Sequence, residues 1–172
     1  MALKITDISL SLPFGIGGVT VHRSEAQREA AWALYVEYAT RITTQSLASG
    51  QGSLREALTS LYKLFDITRE VLKSAGPGVA DGPESLGPLA IRVLNEGVRP
   101  FLVDWHSRLG AYEDEQRIEQ RAQLAPGVEP VIDEDAWDQA ADFRSALEEL
   151  RQGLASYVDA LAVLAGVRYD RS

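Results

Sequence analysis

The chain has no cysteine, which removes disulfide frameworks, thiolate metal sites and thiol nucleophiles at once. Histidine is almost as scarce, with only His22 and His106 in 172 residues. Without Glu-x-x-His, His-Glu-x-x-His or an EF-hand loop there is no pattern for a di-iron, zinc or calcium centre, so no metal or cofactor is expected. Gly-x-Ser-x-Gly, the turn that exposes a hydrolase serine, is also missing. No window approaches the uninterrupted apolar length needed to cross a bilayer. After Met1-Ala2-Leu3-Lys4, the polar residues Asp7, Ser9 and Ser11 break what a signal peptide would keep apolar. The expectation is a cytoplasmic protein with no membrane partner. Of the seventeen basic residues only Lys4, Lys63 and Lys73 are lysine, a bias read as codon usage and given no functional weight.

A length of 172 residues fits one domain, 1–172, with a substantial core. The net charge of −8 is unevenly spread. Residues 1–111 hold eleven acids and eleven bases, whereas 112–150 hold twelve acids against three arginines. Nucleic acid is gripped through phosphate neutralisation, so a neutral body with an acidic segment argues against a general nucleic-acid binder. The acidic segment reads most simply as a solvated loop and helix start, with a basic partner as the other option.

Ile8, Leu10 and Leu12 alternate with Ser9 and Ser11 at the period of a strand. Pro13 to Gly18 supplies turn chemistry and Val19-Thr20-Val21 a return strand, so residues 1–22 read as a β-hairpin or extended arm. Two strands alone are marginal in water. The hairpin must rest on the helices, pair with another copy, or add its edge to a partner's sheet. Gly15-Ile16-Gly17-Gly18 lacks the lysine of a phosphate loop and precedes a strand, so it is not read as one. His22 is a boundary residue at the end of the hairpin.

Four helices follow. Ser24-Glu25-Ala26-Gln27 is a capping box opening helix 24–46, whose Trp32, Tyr35, Val36, Ala39 and Ile42 form the expected buried stripe. Ser53-Leu54-Arg55-Glu56 opens helix 53–75, with a seam of Leu54, Leu58, Leu61, Phe65, Thr68 and Leu72. Helix 86–122 carries Leu94, Val98, Phe101, Leu102, Trp105, Leu109 and Tyr112 on one face and should kink near Gly97-Pro100. Helix 134–166 has the cleanest stripe, running Ala140, Phe143, Leu147, Leu150, Leu154, Tyr157, Leu161 and Leu164, with Gly166 as its stop. The fold class is therefore mainly α, an antiparallel four-helix bundle with a short N-terminal hairpin.

One stretch could hold chemistry. Arg99 and His106 lie seven residues apart, two helical turns, on the flank of the core stripe in line with Asn95 and Glu113. The spacing resembles the Arg-x(4–6)-His motif of HEPN ribonucleases, which implies metal-independent RNA cleavage with the histidine as general acid/base and the arginine stabilising the charged phosphorane. Those proteins commonly place a polar residue after the arginine, where Pro100 stands here. A structural alternative has Arg99 lying over Trp105 or Phe101 and pairing with Glu96, and His106 satisfying a backbone group.

A wider resemblance is carried by Ala30-Ala31-Trp32-Ala33-Leu34-Tyr35-Val36-Glu37, by Leu54-Arg55-Glu56-Ala57-Leu58-Thr59-Ser60-Leu61-Tyr62-Lys63-Leu64-Phe65, and by Val98-Arg99-Pro100-Phe101-Leu102-Val103-Asp104-Trp105-His106. These segments look like a group of small uncharacterised all-helical proteins from bacterial, especially actinomycete, operons of the conflict and anti-phage type. The likeness spans most of residues 19–166 and brings no catalytic residue. It implies an accessory or adaptor subunit beside a separate effector. The preferred reading is thus a non-catalytic bundle that binds a protein partner or a second copy of itself, through a surface containing Asn95, Arg99, His106, Glu113, Ile8, Leu10 and Leu12. The alternatives are a HEPN-like ribonuclease using Arg99 and His106, with RNA as partner, and a carrier of an apolar ligand held among the Trp, Tyr and Leu stripes.

Overall fold

The computed structural model describes residues 7–41 and 51–168. Strand β1 (Asp7–Leu12) pairs antiparallel with β2 (Gly17–His22), placing Ile8 opposite Val21 and Leu10 opposite Val19. At the turn the Ile16 N–H donates to the Pro13 carbonyl at 3.3 Å, and Phe14 and Gly15 both have positive φ, 62° and 76°. Two consecutive left-handed residues are the signature of a type I′ turn, whose twist matches that of the strands it joins. The hairpin rests on its own bundle: Leu10, Leu12, Val19 and Val21 are buried in the main core and Ile8 packs half-buried against it. This corrects the expected surface. Leu10 and Leu12 are core, because a two-stranded sheet must cover its apolar face and the helices beside it do so.

Helix α1 (Glu25–Ala39) begins as read, with Ser24 Oγ accepting the Gln27 N–H at 3.3 Å. Gln27 does not close the capping box. It is buried, donating from Nε2 to the His22 carbonyl at 2.9 Å and accepting the Leu86 N–H on Oε1 at 2.9 Å, so it ties the end of β2 to the start of another helix. The buried face of α1 is Gln27, Ala30, Ala31, Leu34 and Tyr38. The expected stripe is displaced: Trp32 is 52% exposed and Val36 is exposed, while Ile42 and the rest of the expected helix to residue 46 lie outside the described residues. Two adjacent alanines let the α1 backbone approach its neighbour closely, and the bulky Trp32 turns outward to stack on Tyr35 at 5.6 Å.

Helix α2 (Leu54–Ala75) buries Leu54, Leu58, Leu61 and Thr68 as expected, together with Ala57 and Leu64; Phe65 and Leu72 are half-buried. The third helical run has three parts, α3 (Leu86–Arg92), a wide π-turn over Val93–Val98, and α4 (Arg99–Arg121). The expected irregularity at Gly97-Pro100 takes this form because Pro100 has no N–H to offer the Glu96 carbonyl and its ring would collide there. The wider turn, in which the Arg99 N–H reaches the Leu94 carbonyl, sets Pro100 in the first turn of α4.

Helix α5 (Ala140–Ala165) buries all eight residues of its expected stripe and stops at Gly166 in the left-handed conformation. It starts later than residue 134. Residues 134–136 make one 3-10 turn and Trp137 is extended and buried, its ring against Trp105, Tyr112 and Phe143. Tyr38 meets Tyr157, and Trp32 lines a cleft with Ala165, so α1 and α5 run antiparallel. Among the described residues no helix is long and apolar enough to cross a membrane.

Candidate functional site

The hairpin of α2 with α3–α4 decides what surrounds Arg99 and His106. The helices are antiparallel, so residues advancing along α2 meet residues receding along α4: Arg55 meets Glu113, Tyr62 meets His106, and Phe65 meets Arg99. Each member of the sequence pair therefore has its own α2 partner, and two clusters result.

In the first cluster the Arg99 guanidinium lies 5.0 Å from the Phe65 ring centre, and its Nε donates to Asn95 Oδ1 at 3.0 Å. The ring is neither Trp105 nor Phe101. Trp105 is taken by Arg108 at 5.1 Å, and Glu96 by Arg92 at 2.8 Å. The hydrogen bond from Arg92 holds the Glu96 carboxyl below the usual carboxylate range, so this acid stays ionised and engaged on its own helix. Arg99 makes no ion pair among the described residues. It borders an open groove of about 440 Å³ between α2 and α3–α4. The groove has an apolar floor of Phe65, Leu72, Ile91 and Leu94 and a rim of Arg69, Lys73 and Arg99; no carboxylate lines it, although Arg69 pairs with Asp66 at 2.9 Å just outside.

In the second cluster Glu113 is 7% exposed, although its place in line with Arg99 and His106 had made it part of the candidate surface. Arg55 draws it inward with a two-pronged pair, Nε to Oε1 at 3.0 Å and Nη2 to Oε2 at 2.8 Å, and Arg117 approaches at 3.7 Å. The remaining prong of Arg55, Nη1, lies 3.3 Å from His106 Nδ1. A guanidinium only donates, so Nδ1 accepts and the neutral imidazole carries its proton on Nε2. The ring edge meets Tyr62 at 5.5 Å, and the side chain is otherwise open to solvent. Asn95, Arg99 and His106 are all exposed. His22 is exposed and pairs with Asp7 at 2.8 Å, as befits a boundary residue.

The acidic segment is more engaged than a solvated loop would be. Glu134 reaches across to α2 and accepts from Ser53 Oγ at 3.1 Å, the Leu54 N–H at 2.6 Å and the Arg55 N–H at 3.0 Å. Asp135 pairs with Arg144 and Glu148 with Arg151, both at 2.6 Å. The Arg151 hydrogen bond lowers the Glu148 carboxyl to about 2. Among the described residues no three acids or histidines gather as metal ligands would.

The sequence reading missed the α2 half of the site. Arg55 was legible only as part of a cap and Phe65 only as core. Folding 53–75 back against 86–122 about the Gly76–Ser85 loop would have set both opposite the α4 row. No protein-family model, curated protein or solved structure matches the chain.

Proposed function

We propose that the protein is a non-catalytic adaptor or accessory subunit that works through protein–protein contact, in a bacterial conflict or defence setting as its resemblance implies. The observation that carries this reading is the open, apolar-floored and cation-rimmed groove beside Arg99 and Asn95. An exposed apolar channel with one sign of charge on its rim suits an apolar segment flanked by acids, the pattern of helix-in-groove and extended-peptide recognition. A carrier of an apolar ligand would enclose most of its cargo, and an open groove serves that role poorly. Light scattering of the protein alone and mixed with the products of its neighbouring genes tests the proposal. A complex of defined stoichiometry is expected, and a strict monomer that binds none of them would overturn it.

The ribonuclease reading draws on the solvent exposure of both Arg99 and His106. It asks them to converge on one phosphate, whereas each is held by a different α2 side chain. Incubation with RNA in EDTA, beside His106→Ala, separates the readings: the adaptor proposal expects no cleavage that the substitution abolishes.

A further inference from the structure

The groove has a counterpart elsewhere on the same chain. Between α4 and α5, residues 129–133 form neither helix nor strand, with Pro130 and Ile132 half-buried and Glu129, Val131 and Asp133 exposed. An acid, a valine and an acid are thus exposed at alternate positions. Val131 is 80% exposed. Its backbone is nevertheless fixed: the Gln120 side chain donates to the Val131 carbonyl at 2.8 Å and accepts the Val131 N–H at 3.0 Å, and the Tyr112 hydroxyl donates to the Asp133 carbonyl at 2.7 Å. A large exposed apolar side chain on a backbone pinned by three side-chain hydrogen bonds is organised before any partner arrives, which lowers the ordering cost of docking.

The chemistry of this tip is the inverse of the groove. The groove offers an apolar floor beneath Lys73 and Arg99, with Arg69 beside them already paired to Asp66; the tip offers Val131 between Glu129 and Asp133, one oxygen of Asp133 also accepting the Asp135 N–H. They cannot meet within one molecule. Arg99 stands at the start of α4 and Gln120 at its end, and twenty-one residues of helix separate them by roughly 30 Å. We infer that the chain assembles head to tail, the Glu129–Val131–Asp133 tip of one copy seated in the Phe65–Ile91–Arg99 groove of the next. The contact is heterologous, so it propagates into a ring or a filament rather than stopping at a two-fold dimer. The inference rests on the contact-surface reading of the groove and names a second copy as the occupant.

Sedimentation of the full chain over a range of concentrations, at low and high salt, tests it together with Val131→Arg and Ile91→Arg. Both side chains are solvent-exposed, and circular dichroism checks that each variant keeps its helices. The wild-type protein is expected to grow beyond a dimer with concentration and to shrink with salt, because the contact pairs opposite charges. Each variant alone is expected to remain monomeric. Mixed in equal amounts, the two retain one good tip and one good groove, and should form a one-to-one dimer that grows no further. A wild-type chain that stays monomeric, or variants that assemble as it does, or a mixture with no dimer, overturns the inference. If such a monomeric wild-type chain still binds a neighbouring gene product, the adaptor reading survives while head-to-tail assembly does not.

Discussion

The Phe14 ring fills the gap between Gly97 and Gly153: a Cβ built on either glycine would come within 2.4 Å of a ring atom. The hairpin turn, the π-turn and α5 therefore meet at one aromatic side chain. Phe14 holds a left-handed φ of 62° in order to do so, a conformation that non-glycine residues adopt at a cost. Squeezed from both sides, the ring cannot yield to one new methyl without meeting the opposite helix.

This geometry predicts a reversal of sign. In an exposed helix interior Gly→Ala gains about 0.5–1 kcal/mol from backbone entropy. Gly153→Ala should instead lose about 1–3 kcal/mol by overpacking, and Gly97→Ala should also destabilise. In a Phe14→Ala background, Gly153→Ala should return to stabilising. Urea unfolding of the four proteins in that cycle checks this, and a stabilising Gly153→Ala in the wild-type background would refute it.

Glu134 caps α2 from eighty residues away, so its loss should act as a helix-cap deletion. Glu134→Ala is expected to cost about 1–2 kcal/mol, since an anion at a helix N-terminus adds a dipole term to its hydrogen bonds. Glu134→Gln, which keeps an acceptor, should cost less. Denaturant midpoints measured at one pH and ionic strength rank the three proteins.

What could be read from the residues followed the strength of the local pattern. The α5 stripe was legible because eight large apolar side chains repeat with no competing signal. The α1 face was not, because Trp32 and Val36 outweigh Ala30 and Ala31 on any hydrophobic count, whereas close packing favours the small residues. Gly97 and Pro100 announced an irregularity, but the need for glycine at 97 comes from the Phe14 ring packed against it, a partner more than eighty residues earlier. Arg99 and His106 were found as a pair. Their separation into two clusters depends on Phe65, Tyr62 and Arg55, which only the antiparallel docking of α2 supplies.

Arg55 and Glu113 form a pair with a buried acid and a partly exposed base, the side chains being 9% and 30% exposed. Removing one partner strands a charge, so Arg55→Ala is expected to destabilise by about 2–3 kcal/mol, and more than Glu113→Gln does. Combining Arg55→Met with Glu113→Leu should recover most of that loss, because apolar replacement of both members removes the desolvation cost. A double-mutant cycle with thermal unfolding measures the coupling. The same Arg55→Ala protein should show an altered His106 ring environment by NMR, as the imidazole loses its Nδ1 donor.

Tyr38 and Tyr157 place the alkaline limit of the fold. Burial pushes the Tyr38 phenol up to about 12, and burial together with the Tyr38 charge pushes Tyr157 well above its ordinary value. An unfolded tyrosine ionises near 10. Because the folded state holds both protons more tightly, their contribution to stability is complete below about pH 10 and is lost as pH climbs toward 12. Helical circular dichroism should therefore collapse in that interval, together with a late step of phenolate absorbance. The two side chains differ in a way that tests the cause. Tyr38 shares a 2.9 Å hydrogen bond with Thr68, whereas the Tyr157 hydroxyl has no partner among the described residues. Tyr157→Phe should then leave neutral stability unchanged or raise it, and shift alkaline unfolding to higher pH. Tyr38→Phe should cost about 1 kcal/mol at neutral pH, since Thr68 loses its phenol. Ionisation of all six tyrosines before any loss of helix would count against this account.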